Sequence, residues 1–158
     1  MALALSDLQR YVGKSIDEIC ANRFDSPSQN HCAHFVSHAL GLKFGMLCGD
    51  MKFETKKTGS SIRCDELYNS FLKKGPWDKK PTISDGILIF VISARNIVRD
   101  TMKNMPQKHV GIYLGGQVFN FSNSQHKVIV DSSVENFHNK FKWIYAGKDI
   151  SLFYGVPQ

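Results

Sequence analysis

The stretch "HVGIYLGGQVFNFSN", residues 109–123, constrains the fold more than any other. Two runs rich in β-branched and aromatic residues flank Gly115-Gly116, the pattern of an antiparallel hairpin. With a two-residue turn, Leu114 pairs with Gln117, Gly111 with Asn120 and His109 with Ser122. Alternation then puts Asn120 and Ser122 on the face of His109, and Asn123 on the other. A three-residue "GGQ" turn would shift the register by one and bring Asn123 into play instead.

Other strands follow the same texture: "DGILIFVIS" (85–93), "KVIVDSS" (127–133), "ISLFYGV" (150–156) and "FKWIYAG" (141–147). Helices come earlier. Residues 5–22 read as one helix with Ser6 as N-cap, although Gly13 interrupts it. Residues 32–40 read as a second helix, closed by Gly41, and 63–75 as a third, ending at Gly75-Pro76. Residues 43–61 are irregular. Helices first and an antiparallel sheet second define an α+β fold, and 158 residues suit a single catalytic domain over 1–158.

Lys and Arg exceed Asp and Glu by 20 to 14, which favours anionic partners. The basic residues are scattered and no nucleic-acid motif surrounds them, so a solvated basic surface is expected and nucleic acid is not an expected partner. The start, "MALALSDLQR", lacks a basic n-region and a long apolar core, so no signal peptide is expected. No apolar run reaches membrane-spanning length. The expected location is cytoplasmic, or outside the cell by a dedicated secretion or phage-lysis route. Cys20, Cys32, Cys48 and Cys64 contain no CxxC pair, which argues against a cysteine-rich zinc site; a disulfide among Cys20, Cys48 and Cys64 stays open.

"NHCAHFVSHAL" carries the densest chemistry. On a wheel of about 100° per residue, Cys32 falls within the apolar stripe and His31, His34 and His38 on the opposite shoulder. A metal held by the three histidines would need a fourth donor or an open position, and no HExxH-type base accompanies them. His34 and His38 are therefore expected to face solvent, and no metal or cofactor is expected. Position alone leaves Cys32 open between a buried structural cysteine and a nucleophile activated by a helix N-terminus. Its base would be His109 at the mouth of its strand, oriented by Asn120 or Asn123.

A helix-opening cysteine ("NHCAHFVSHAL"), a central strand ("SDGILIFVI"), "HVGIYLGG" and the return strand "VFNFSN" resemble, in that order, the NlpC/P60 group of papain-like cysteine peptidases. The small type VI secretion amidase effectors look equally similar. The resemblance spans roughly residues 30–123. It implies a papain-like fold of N-terminal helices packed on an antiparallel sheet, with Cys32 as nucleophile, His109 as general base and acid, and Asn120 as orienter. It also implies amide hydrolysis of peptidoglycan peptides through a thioester, with N–H groups at the Cys32 helix N-terminus holding the oxyanion. An effector or phage lysin fits better than a housekeeping hydrolase, with an immunity or inhibitor protein as partner and a monomeric state. Related folds include acyltransferases, deamidases and toxins acting on host proteins, and a catalytically inactive binding module would keep the same scaffold. The chain departs from the group in three places: Asn rather than His in the third position, bulky His31 and His34 around the cysteine, and the long basic segment "SARNIVRDTMKNMPQK" before His109. That segment is expected to be a loop beside the site that alters substrate choice.

Overall fold

The computed structural model describes residues 3–22, 24–27, 29–51, 59–82, 85–146 and 149–157. Its helices are α1 (Leu5–Gln9), α2 (Ile16–Ile19), α3 (Cys32–Leu40), α4 (Cys64–Ser70) and α5 (Val134–Tyr145). Its strands are β1 (Lys74–Pro76), β2 (Leu88–Ser93), β3 (Ile97–Val98), β4 (Thr101–Met102), β5 (Lys108–Leu114), β6 (Gln117–Ser122), β7 (Lys127–Asp131) and β8 (Ile150–Gly155). Six strands form one antiparallel sheet in the order β1-β8-β2-β5-β6-β7, and β3 and β4 form a separate hairpin. The architecture is α+β.

β2 explains why three layers form. Every residue from Leu88 to Ser93 is buried, so both faces of the central sheet must be covered. On one face Leu88, Phe90, Ile92, Val110, Phe119 and Phe121 pack beneath α1, α3 and α4. On the other, Ile89, Val91 and Val118 meet Phe137 and Phe141 of α5. The β5–β6 turn is two residues long: Leu114 pairs with Gln117 and Gly111 with Asn120. Gly115 and Gly116 both take positive φ (61° and 79°), as a type I′ turn requires.

Four local expectations need correction. The segment 5–22 divides into α1 and α2, because Gly13 turns left-handed at φ 85°. α1 starts one residue before Ser6; the Ala4 N–H instead donates to the Asp7 carboxylate at 2.8 Å. The third helix stops at Ser70, and Gly75 lies inside β1 beside β8. Residues 141–145 of "FKWIYAG" are no strand but the end of α5, whose Phe137, Phe141 and Tyr145 recur every four residues along the buried side; Gly147 lies outside the described residues. The basic segment before His109 is also partly folded: Arg99 and Asp100, both at positive φ, turn β3 into β4. α4 anchors that hairpin, with the Tyr68 hydroxyl donating to Asp100 at 2.9 Å and the Asn69 side chain bonding both the N–H and the C=O of Met102.

Candidate active site

α3 begins at Cys32, and two asparagines satisfy its first amides. The Cys32 N–H donates to Asn30 Oδ1 at 2.9 Å, and the His31 N–H donates to Asn123 Oδ1 at 3.1 Å. At the other end Gly41, at φ 70°, closes the helix. The Cys32 side chain is turned inward and is 2% exposed. Cys64, the first residue of α4, meets it there, together with the His109 imidazole and the Val110 N–H.

This environment sets the charge of the thiol. A hydrogen bond from the Cys64 thiol holds Cys32 well below the ordinary thiol range, against the opposing effect of burial. The charge and hydrogen bond of His109 and the Val110 N–H act in the same direction. Burial and the Cys32 thiolate push Cys64 the other way, so it is the protonated partner. Both thiols open a helix, where the positive end of the dipole favours an anion; the His109 contact and the Val110 N–H place the charge on Cys32.

His109 and Asn120 stand on adjacent strands with side chains on the α5 face. The imidazole Nε2–H donates to Asn120 Oδ1 at 3.0 Å. The orientation of the Asn120 amide is fixed by its other end, where Nδ2 donates to Asp131 Oδ2 at 2.9 Å and to the Val118 carbonyl at 3.2 Å. Lys140 of α5 in turn binds the same Asp131 oxygen at 2.6 Å. With Nε2 committed to Asn120, the ring nitrogen left for the thiol is Nδ1. The ring of Phe141 stacks on His109 with centroids 4.4 Å apart.

Two clefts flank the pair. The smaller, about 90 Å³, is lined by Asn30, Cys32, Arg63, Cys64, Asn104 and Lys108. The larger, about 360 Å³, is lined by His109, Asn120, Ser122, Phe141, Ile144 and Tyr145 among others. Asn30 borders both.

The fold thus brings Cys32, His109 and Asn120 together, while Asn123 caps the residue before the thiol. The histidine shoulder differs from expectation. His31 and His34 are fully buried and His38 partly so, because Phe24, Ser26 and Cys48 lie against this side of α3. His31 Nε2 donates to the Ser26 carbonyl at 2.8 Å and its ring packs edge-on against Phe24 and Phe121. All four cysteines are free thiols. Cys64, Asp131 and Phe141 went unrecognised in the sequence because each acts through a partner at least 11 residues away, with no local motif. No family model, no curated protein and no solved structure matches this chain.

Proposed function

We propose that the chain is a cysteine amidase or endopeptidase cleaving amide bonds of peptidoglycan peptides, on a papain-like scaffold of the NlpC/P60 kind. One observation carries the reading: His109, held by Asn120 Oδ1 through Nε2, lies beside a helix-terminal Cys32 whose thiol is shifted toward thiolate. The Cys32 sulfur attacks the amide carbon, and His109 passes its Nδ1 proton to the departing amine, leaving a thioester. His109 then takes a proton from water, which attacks the thioester and releases the acid. Asn120 keeps the ring in the tautomer that both steps need.

The oxyanion of each tetrahedral intermediate takes over the Cys32 N–H, which Asn30 Oδ1 holds at rest. Asn30 therefore turns aside as substrate enters. The net charge of +6 suits an anionic wall polymer.

The test is digestion of purified peptidoglycan with chromatography of the released peptides. The native protein is expected to release them, and the Cys32→Ala and His109→Ala variants to be inactive or slower by about 10²–10⁴. Wall-degrading activity that survives in Cys32→Ala would rule out this mechanism. Burial of Cys32 and His109, both 2% exposed, favours a second reading in which a thioester shielded from water passes to an amine. Mass spectrometry of reactions with added amine separates transfer from hydrolysis.

A further inference from the structure

On the opposite shoulder of α3, four side chains from three segments converge. Cys20 directly follows α2 as its C-cap, His34 and His38 lie one turn apart on α3, and Cys48 opens a short 3₁₀ turn, Cys48–Met51. One ligand atom from each, a sulfur or a ring nitrogen, lies within 4.8 Å of the other three. Cys20 Sγ is 3.7 Å from Cys48 Sγ, His34 Nε2 is 3.1 Å from His38 Nε2, and Cys48 Sγ is 3.7 Å from His38 Nε2.

These three distances match edges of a coordination tetrahedron. Zinc bonds of about 2.3 Å to sulfur and about 2.0–2.1 Å to nitrogen space two sulfurs about 3.8 Å apart, two nitrogens about 3.3 Å and a mixed pair about 3.6 Å. We infer that Cys20 Sγ, His34 Nε2, His38 Nε2 and Cys48 Sγ bind a zinc(II) ion that fastens α2 and the Cys48 turn to α3.

The surrounding hydrogen bonds fit that role. The Ser26 carbonyl can only accept, so His31 carries its proton on Nε2 and presents a lone pair at Nδ1. His34 Nδ1, 3.1 Å away, must then be the protonated nitrogen, which leaves the Nε2 lone pair for a metal. The sulfurs are served by N–H donors, as coordinated thiolates require. The Asn22 N–H reaches Cys20 Sγ at 3.4 Å, while Asn22 Nδ2 and the Ser60 N–H each reach Cys48 Sγ at 3.3 Å. Gly59 makes the last approach possible: at φ 138° it rises beside Cys48, and a Cβ there would lie 2.6 Å from the sulfur.

A disulfide does not account for the arrangement. Its sulfurs would be about 2.05 Å apart, against the 3.7 Å that separates Cys20 Sγ from Cys48 Sγ. Four protein donors close the coordination shell, which marks a structural site and not a catalytic one. Binding exchanges the two thiol protons for one zinc ion with no change of oxidation state: Zn²⁺ and two thiols give a zinc dithiolate and two H⁺. The neighbourhood needs such a fastening. Among the described residues, the buried apolar cluster here is Cys20, Phe24 and Cys48, with Ile62 packed against it. The inference is independent of the proposed amide hydrolysis.

The experiment measures zinc by elemental analysis in the full chain, purified under reductant without chelator, then stripped and titrated with Zn²⁺ or Co²⁺. One equivalent of zinc is expected. Cobalt should give the strong visible ligand-field bands of a tetrahedral ion and a thiolate charge-transfer band. Cys48→Ser and His34→Ala should lower affinity at least tenfold, whereas Cys32→Ala should keep full stoichiometry even though the proposed nucleophile is gone. Less than half an equivalent in the folded native protein, a weak octahedral cobalt spectrum, or a Cys20–Cys48 disulfide in the unreduced mass spectrum would overturn the site. The native cobalt spectrum decides the matter even if the variants fail to fold.

Discussion

Cys64 is the residue on which the reactivity of Cys32 depends first. It donates to the thiolate from the opening turn of α4, and nothing in its local sequence marks it. A hydrogen bond to a charged group is worth about 1.5–3 kcal/mol, so its loss leaves a thiolate with less support in a buried place. Cys64→Ala is expected to slow iodoacetamide labelling of Cys32 at neutral pH by roughly tenfold. Cys64→Ser keeps a donor and should recover most of the rate. Equal rates in the two variants would show that packing, not the hydrogen bond, is what Cys64 supplies. The dependence on pH has a definite sign. Because Cys32 is shifted downward, its labelling should persist at pH values below the ordinary thiol range and fall only on further acidification.

Asp131 acts one step further out. It accepts from Asn120 Nδ2 and so keeps Oδ1 aimed at His109. In Asp131→Ala the amide can turn over and face the imidazole with its donor end, so kcat for peptide release should fall by about tenfold or more. KM should change little, since Asp131 lies behind Asn120 and not among the residues lining either cleft. At this scale the sequence reveals the residues with a strong local context: Cys32 at a helix start, and His109 and Asn120 in a hairpin whose register is countable. It conceals those whose role arises only when distant strands and helices meet.

Among the elements, the β5–β6 hairpin was readable because two glycines set its turn and period-two alternation set its faces. Gly111 adds a constraint that the pattern did not express. A Cβ there would lie 2.7 Å from Val118 Cγ1 and 2.9 Å from the Phe119 carbonyl oxygen, directly opposite Asn120. Gly111→Ala must push β6 away, at a cost of about 1–3 kcal/mol, and loosen the His109–Asn120 bond. Chemical denaturation together with the rate of peptide release checks both effects. α5 was harder to read. "FKWIYAG" taken alone is rich in strand-forming residues, and only a window starting at Ser133 reveals the four-residue spacing of Phe137, Phe141 and Tyr145. Ser133 Oγ accepts from the Asn136 N–H at 3.0 Å and starts the helix that carries Phe141 onto His109. Ser133→Ala should therefore cost about 1 kcal/mol in denaturant unfolding, with activity lost less than in Phe141→Ala.

At the scale of the molecule, the sheet and the face of α3 toward it are held by a large apolar core, whereas the opposite side of α3 rests on polar and sulfur-bearing groups. His31, His34 and His38 were legible as three histidines on one shoulder of α3, but the cysteines that meet His34 and His38 stand 28 residues apart in sequence. Wheel geometry therefore assigned that shoulder to solvent, although loops cover it. The division predicts uneven stability. Zinc bound to the native state alone stabilises it by about 4 kcal/mol at a thousandfold excess over Kd, so stripping the ion should lower Tm measurably. Hydrogen exchange should locate the loss. Amides of residues 20–22, 42–49 and 59–61 are expected to exchange faster without zinc, while β2, β5 and β6 keep their protection. Because α3 carries Cys32 at its first turn, the stripped protein should also release peptides more slowly, and added Zn²⁺ should restore the rate. Faster exchange spread evenly through the sheet would mean that the metal supports the whole core, and the mechanical link between this shoulder and the thiol would have to be abandoned.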